Sequence, residues 1–298
     1  MPGMQLDLFL DSRAVILAND VAAALLARDV ERARAAVSVL RDEAPDYPSL
    51  DALARLTAVL DAWSPRVADA AAAEEQVDLL ERQVAPVAER ALGEAAPAFV
   101  ASFFRDLAAA ALGRGYDPTR PRSHRAWLCL RCGDWAEAEA AADSIPAASA
   151  NPDALHWRSV ARYRQRGLAA ASADLFVLAW AAPQRLPRVV VDCGDELLLC
   201  DWQRFERASD WTSVPESELP AWFPAWCLLA HPAAAQSALH ELALPHVPAA
   251  QAAGVLRDLL ALEREGDTRK LAQQRARLRE LNSDLFALYM ASRTTRYL

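Results

Sequence analysis

Cys129 and Cys132 stand with two residues between them, the spacing at which two thiolates pinch one zinc ion. A zinc site needs a second pair of ligands. The nearest candidates, Cys193 and Cys200, are separated by six residues and fall on a different expected helix, so Cys129 and Cys132 read as small apolar neighbours on one helical face. Cys193 lies in Asp192-Cys193-Gly194-Asp195, where the two acids raise a thiol pKa that a nucleophile needs lowered by a His or a cation. None of the five histidines (His124, His156, His231, His240, His246) stands in a His-Glu-x-x-His pattern, and the nine glycines build no phosphate loop. Glu74-Glu75 and Asp42-Glu43 belong to polar helix faces, where carboxylates are solvated. The residues therefore predict a non-enzymatic chain with no metal and no cofactor.

The elements that carry these residues follow from composition. Alanine supplies 66 of 298 residues, arginine outnumbers lysine 31 to 1 and isoleucine occurs twice, a bias that favours helix and starves strands of β-branched side chains. The expectation is an all-α fold. A hydrophobic content of 53% excludes a disordered chain, and a net charge of -8 argues against bulk nucleic-acid or anionic-membrane binding, which needs a broad basic surface. The most apolar stretch, residues 219–235, is broken by Pro220, Pro224, His231 and Pro232, so no membrane span is expected. Acids at Asp7 and Asp11 interrupt any signal-like start, and five cysteines make an odd count in a long chain. Both predict a cytoplasmic protein with reduced thiols.

Turn signals recur along the chain. Gly133 separates the run 126–132 from Asp134-Trp135-Ala136-Glu137-Ala138; thirty-four residues later Gly167 does the same, and another thirty-four brings Asp201. Close-packing small positions then fall on Ala126, Val160 and Gly194, and the second unit carries Tyr163, Gly167, Phe176, Ala179 and a terminal Pro183. These residues resemble tetratricopeptide repeats, best over 123–207 and more weakly over 11–45 and 249–279. The resemblance implies a right-handed α-solenoid of divergent helical hairpins that bury their apolar faces by stacking and present a concave surface to a protein or peptide partner. Turns are expected at Arg28-Asp29, Gly133-Asp134, Arg166-Gly167, Cys200-Asp201 and Gly266-Asp267, with a further hairpin at His231-Pro232. Long helices are expected over 65–93 and 95–112, and one last capping helix from Leu260 onward. Gly113 to Ser123, with Pro118 and Pro121, reads as a hinge, giving an N-terminal peptide 1–10, an N-terminal lobe 11–113 and a C-terminal lobe 114–298.

In the repeat register Trp135, Trp180 and Trp202 pack against the next helix and belong to the core. Trp127 and Trp157 fall instead on groove-facing positions, together with Arg120, Arg131, Arg164 and Arg188. Aromatic and arginine side chains bury much area and pair bidentately with carboxylates, so this set predicts a groove for an acidic or carboxylate-terminated peptide. The competing reading leaves the same arginines on an ordinary solvated face.

Near the N-terminus, Gln5-Leu6-Asp7-Leu8-Phe9 resembles the pentapeptide by which bacterial polymerases and repair proteins dock on the DNA sliding clamp, and all five positions match. The resemblance implies an accessory factor of replication or repair. In that mode an extended peptide inserts Leu8 and Phe9 into an apolar pocket while the Gln5 amide makes directional hydrogen bonds. The alternative makes Leu6, Leu8 and Phe9 the cover of a first helix capped at Asp11 and stapled from Leu10 to Val15.

Overall fold

The computed structural model describes residues 3–65, 67–208, 211–265 and 267–294, with side chains from Arg13 to Arg293. Among the described residues the chain is all-helical, with no strand, and no helix is long and apolar enough to cross a membrane. It divides into two compact units, Met1–Asp134 and Trp135–Leu298.

The first unit holds α1 (Gly3–Leu26), α2 (Val30–Glu43), α3 (Leu50–Ala62), α4 (Ala70–Leu79), α5 (Ala85–Leu92), α6 (Ala96–Ala110) and α7 (Arg125–Cys132). Its core lies around α6, whose apolar residues recur at three and four and bury Phe99, Phe103, Phe104 and Leu107. The α1–α2 turn forms where expected. Arg28 takes a left-handed φ of 58° and Asp29 caps α2 by accepting from the Arg32 amide at 3.0 Å. Arg28 is held there by Asp106 at 2.6 Å and Ser102 at 2.8 Å. The long helix expected over 65–93 is shorter and interrupted: it begins after the Asp69 cap, and a π-helical turn (Leu80–Val84) separates α4 from α5. Pro86 accounts for that turn, because it has no N–H to give the carbonyl one helical turn earlier.

The second unit holds α8 (Trp135–Asp143), α9 (Pro152–Arg166), α10 (Leu168–Ala181), α11 (Leu186–Asp192), α12 (Glu196–Arg207), α13 (Phe223–Ala230), α14 (Pro232–Glu241), α15 (Pro248–Glu265), α16 (Thr268–Leu281) and α17 (Ser283–Thr294). Helices α9 and α10 form a hairpin joined by Gly167 alone, at φ 77°. Trp202, Phe205, Phe223 and Trp226 form an aromatic cluster with centroids 5.3–6.0 Å apart that fastens α12 to α13.

Three boundaries depart from the sequence reading. Asp201 lies inside α12 rather than in a turn: the chain turns at Gly194, φ 60°, and Asp195 caps α12 by accepting from the Leu197 and Leu198 amides. The thirty-four-residue spacing therefore stops after Gly167. The C-terminal stretch is not one helix, because Asp267 caps α16 and the Asn282 side chain accepts from the Leu285 amide at 2.7 Å, starting α17; Gly266 lies outside the described residues. The division into units falls after Asp134, not near Gly113. Segment 113–123 is tied back into the first unit, with Arg114 donating to the Val67 and Ala68 carbonyls and Arg122 bonded to Asp78 and Glu81.

Candidate partner-binding site

The six residues expected to line one groove divide between the two units. Arg120, Trp127 and Arg131 belong to the first, and Trp157, Arg164 and Arg188 to the second.

In the first unit, α7 is positioned by His124. Its Nδ1 accepts from the Ala126 amide at 3.2 Å, and burial holds the imidazole down at about 4, so it is neutral and able to cap. The four-residue step from Trp127 to Arg131 puts both on one face of α7. The Arg131 guanidinium lies 5.6 Å from the Trp127 ring centroid and 5.3 Å from that of Phe104, while the two rings meet edge-on at 5.8 Å. Beside them α5 and α6 form a half-open cavity of about 260 Å³ lined by Ala85, Glu89, Pro97, Val100, Phe104 and Arg131 among others. An apolar side chain fits such a space, whose lining carries one cation, Arg131, and one carboxylate, Glu89. Arg131 also pairs with Glu81 at 3.3 Å, but its side chain stays 45% exposed, so a partner carboxylate can still reach it. Arg120 is placed elsewhere, bonded to Glu74 at 3.2 Å, and with Arg122 it fastens segment 113–123 to α4.

In the second unit the groove expectation fails at Trp157, which is 3% exposed. A helix buried between neighbours carries apolar residues on more than one face, and α9 is packed against α8, α10 and α11, so Trp157 belongs to the core. Arg164 and Arg188 both serve the C-terminal end of α11. Arg164 donates to the Cys193 and Gly194 carbonyls at 3.2 and 3.3 Å and covers Trp135 at 5.0 Å, and Arg188 pairs with Asp192 at 2.9 Å. Trp180 and Trp202 are buried as expected, whereas Trp135 is half-buried beneath Arg164.

Cys129 and Cys132 are both buried, and Cys132 donates to the Cys129 carbonyl one turn earlier. No group of three or more His, Cys, Asp or Glu is arranged to hold a metal among the described residues. Burial, with Asp192 beside it, pushes the Cys193 thiol up to about 12, which leaves it protonated at neutral pH. His156 on α9 bonds Asp192 on α11 at 2.9 Å, and His231, between α13 and α14, bonds Asp201 on α12 at 2.7 Å.

The clamp-like peptide lies within α1, so its backbone is helical rather than extended, and helix α1 has no cap at Asp11. The side chains of Gln5, Leu6, Asp7, Leu8 and Phe9 lie outside the described residues. Farther along α1, Val15 and Ile16 are 46% and 61% exposed, and the first described side chain to be buried is Ala18.

Comparison of the chain with protein-family models, with curated proteins and with solved structures gives no match.

Proposed function

We propose that the chain is a non-enzymatic, cytoplasmic interaction scaffold whose hairpins stack in the right-handed manner of tetratricopeptide repeats, and that it binds a peptide at the α5–α6–α7 cavity. The observation that carries this reading is the placement of Arg131 over Phe104 and Trp127 at the edge of an apolar space of about 260 Å³. The cavity takes an apolar side chain and Arg131 takes a carboxylate next to it, the combination of aromatic and arginine contacts from which interface hot spots are built. Occupants with no acid lose the second contact.

A peptide array tests the proposal directly. The wild-type chain should retain peptides with an apolar residue adjacent to an acid or to a free C-terminus, and Arg131→Glu should lose that set with an unchanged circular dichroism spectrum. If no peptide is retained, or the variant retains the same set, the cavity is not the binding site.

A second reading, docking on a sliding clamp through Gln5 to Phe9, draws support from the complete five-residue match and from the exposure of Val15 and Ile16. Docking in that mode requires the start of α1 to unwind.

A further inference from the structure

Helices α14 to α17 line a separate, half-open cavity of about 470 Å³, formed by Leu260, Glu263, Arg264, Leu271, Arg275 and Arg293 together with Pro232 and Gln236. Three guanidinium groups face one carboxylate there, which leaves two positive charges in a chain whose net charge is -8. Glu263 is already spoken for: it accepts from the Tyr289 hydroxyl at 2.6 Å and from Arg293 at 2.7 Å, with Arg275 at 3.8 Å. Tyr289 is fully buried, lies between Arg275 and Arg293 at 5.7 and 5.4 Å from their guanidinium carbons, and accepts from Arg275 Nε at 3.2 Å. These bonds hold two of the guanidinium groups in place before any ligand arrives. Arg264 is fixed differently, donating at 3.1 Å to the Gln236 amide oxygen, which carries no charge.

We infer that this cavity binds a small organic phosphate monoester, whose dianion meets Arg264, Arg275 and Arg293 while its organic part rests on Leu260 and Leu271. A monoester carries close to two negative charges at neutral pH and offers three acceptor oxygens, which matches both the excess charge and the planar donor forks of arginine. The volume lies in the range of small-molecule sites and the lining mixes apolar walls with a few convergent polar groups. None of this depends on the peptide cavity in the first unit.

Titration calorimetry of the full chain with phenyl phosphate, inorganic phosphate and a single-stranded oligonucleotide tests the inference. Phenyl phosphate should bind one to one, at least tenfold tighter than inorganic phosphate, and Arg264→Ala should weaken it at least tenfold at an unchanged melting temperature. Arg269→Ala, on the exposed surface of α16 outside the cavity, should bind like wild type. The proposal is overturned if phenyl phosphate fails to bind at millimolar concentration, if Arg264→Ala binds it equally, or if inorganic phosphate binds as tightly. Preference for the oligonucleotide would also overturn it, assigning the basic groups to a nucleic-acid backbone.

Discussion

Arg158 and Asp174 meet through two hydrogen bonds, Nε to Oδ2 at 2.8 Å and Nη2 to Oδ1 at 2.5 Å, and lock α9 to α10 from within their hairpin. Asp174 is buried, and Arg162 adds a third bond at 2.9 Å. Burial works against the Arg158 charge, yet its hydrogen bonds to Asp174 and Asp143 outweigh that and hold its pKa above the ordinary arginine value. Removing one member of a buried pair strands the other, at a cost of about 3 kcal/mol. Asp174→Asn should therefore lose about that much in urea unfolding, whereas Asp143→Asn, at the 48% exposed end of the same network, should lose less than about 1 kcal/mol. Equal losses would show that Asp174 contributes no more than a surface ion pair.

Asp174 also marks where the sequence stops being legible. It sits in Leu168–Ala181, a run otherwise dominated by alanine, leucine and aromatics, and its partner comes from the facing helix in a register that no single sequence specifies. Turns were readable because they require particular residues: Gly133 and Gly167 take positive φ, and Asp29 caps its helix with its own carboxylate. Asp201 departs from its expected turn for the same reason that Asp29 meets its own. An aspartate can cap a helix or ride on one, and the true signal, Gly194-Asp195, lay a few residues away from the arithmetic spacing. Trp127 and Arg131 were legible as a pair because one helical turn separates them, whereas Trp157 looked identical in pattern and differs only in being covered by neighbouring helices. Arg264, Arg275 and Arg293 form no sequence pattern as a cluster, because they stand on three helices whose packing register the sequence does not specify.

The His124 cap ties stability to pH. Its imidazole titrates near 4 in the folded chain, because of burial, against about 6.5 when unfolded. Between those values the unfolded chain binds the extra proton, so stability is complete above pH 6.5 and falls as pH drops toward 4. Protonation also removes the acceptor for the Ala126 amide and sets a positive charge at the N-terminus of α7. Going from pH 7 to pH 4.5, wild type should lose about 2 kcal/mol more than His124→Asn, which keeps a cap acceptor but does not titrate. Parallel losses in the two proteins would remove His124 from the account.

The clamp reading makes a demand on α1 that separates it from coincidence. Its five residues lie on a helix beginning at Gly3, whereas a peptide of that kind docks extended, so binding requires the first turns of α1 to unwind. Farther along α1, Val15 and Ile16 are exposed, and burial among described side chains starts at Ala18. Ordering a short extended peptide on docking keeps such an interaction weak, on the order of micromolar. Wild type should bind a bacterial sliding clamp in that range and lose helical signal as the clamp is titrated in. Leu8→Ala combined with Phe9→Ala should abolish binding while the melting temperature stays near its original value. Absence of clamp binding by wild type, with a large loss of stability in the double variant, would instead make Leu8 and Phe9 packing residues of α1 and the five-residue match an accident of composition.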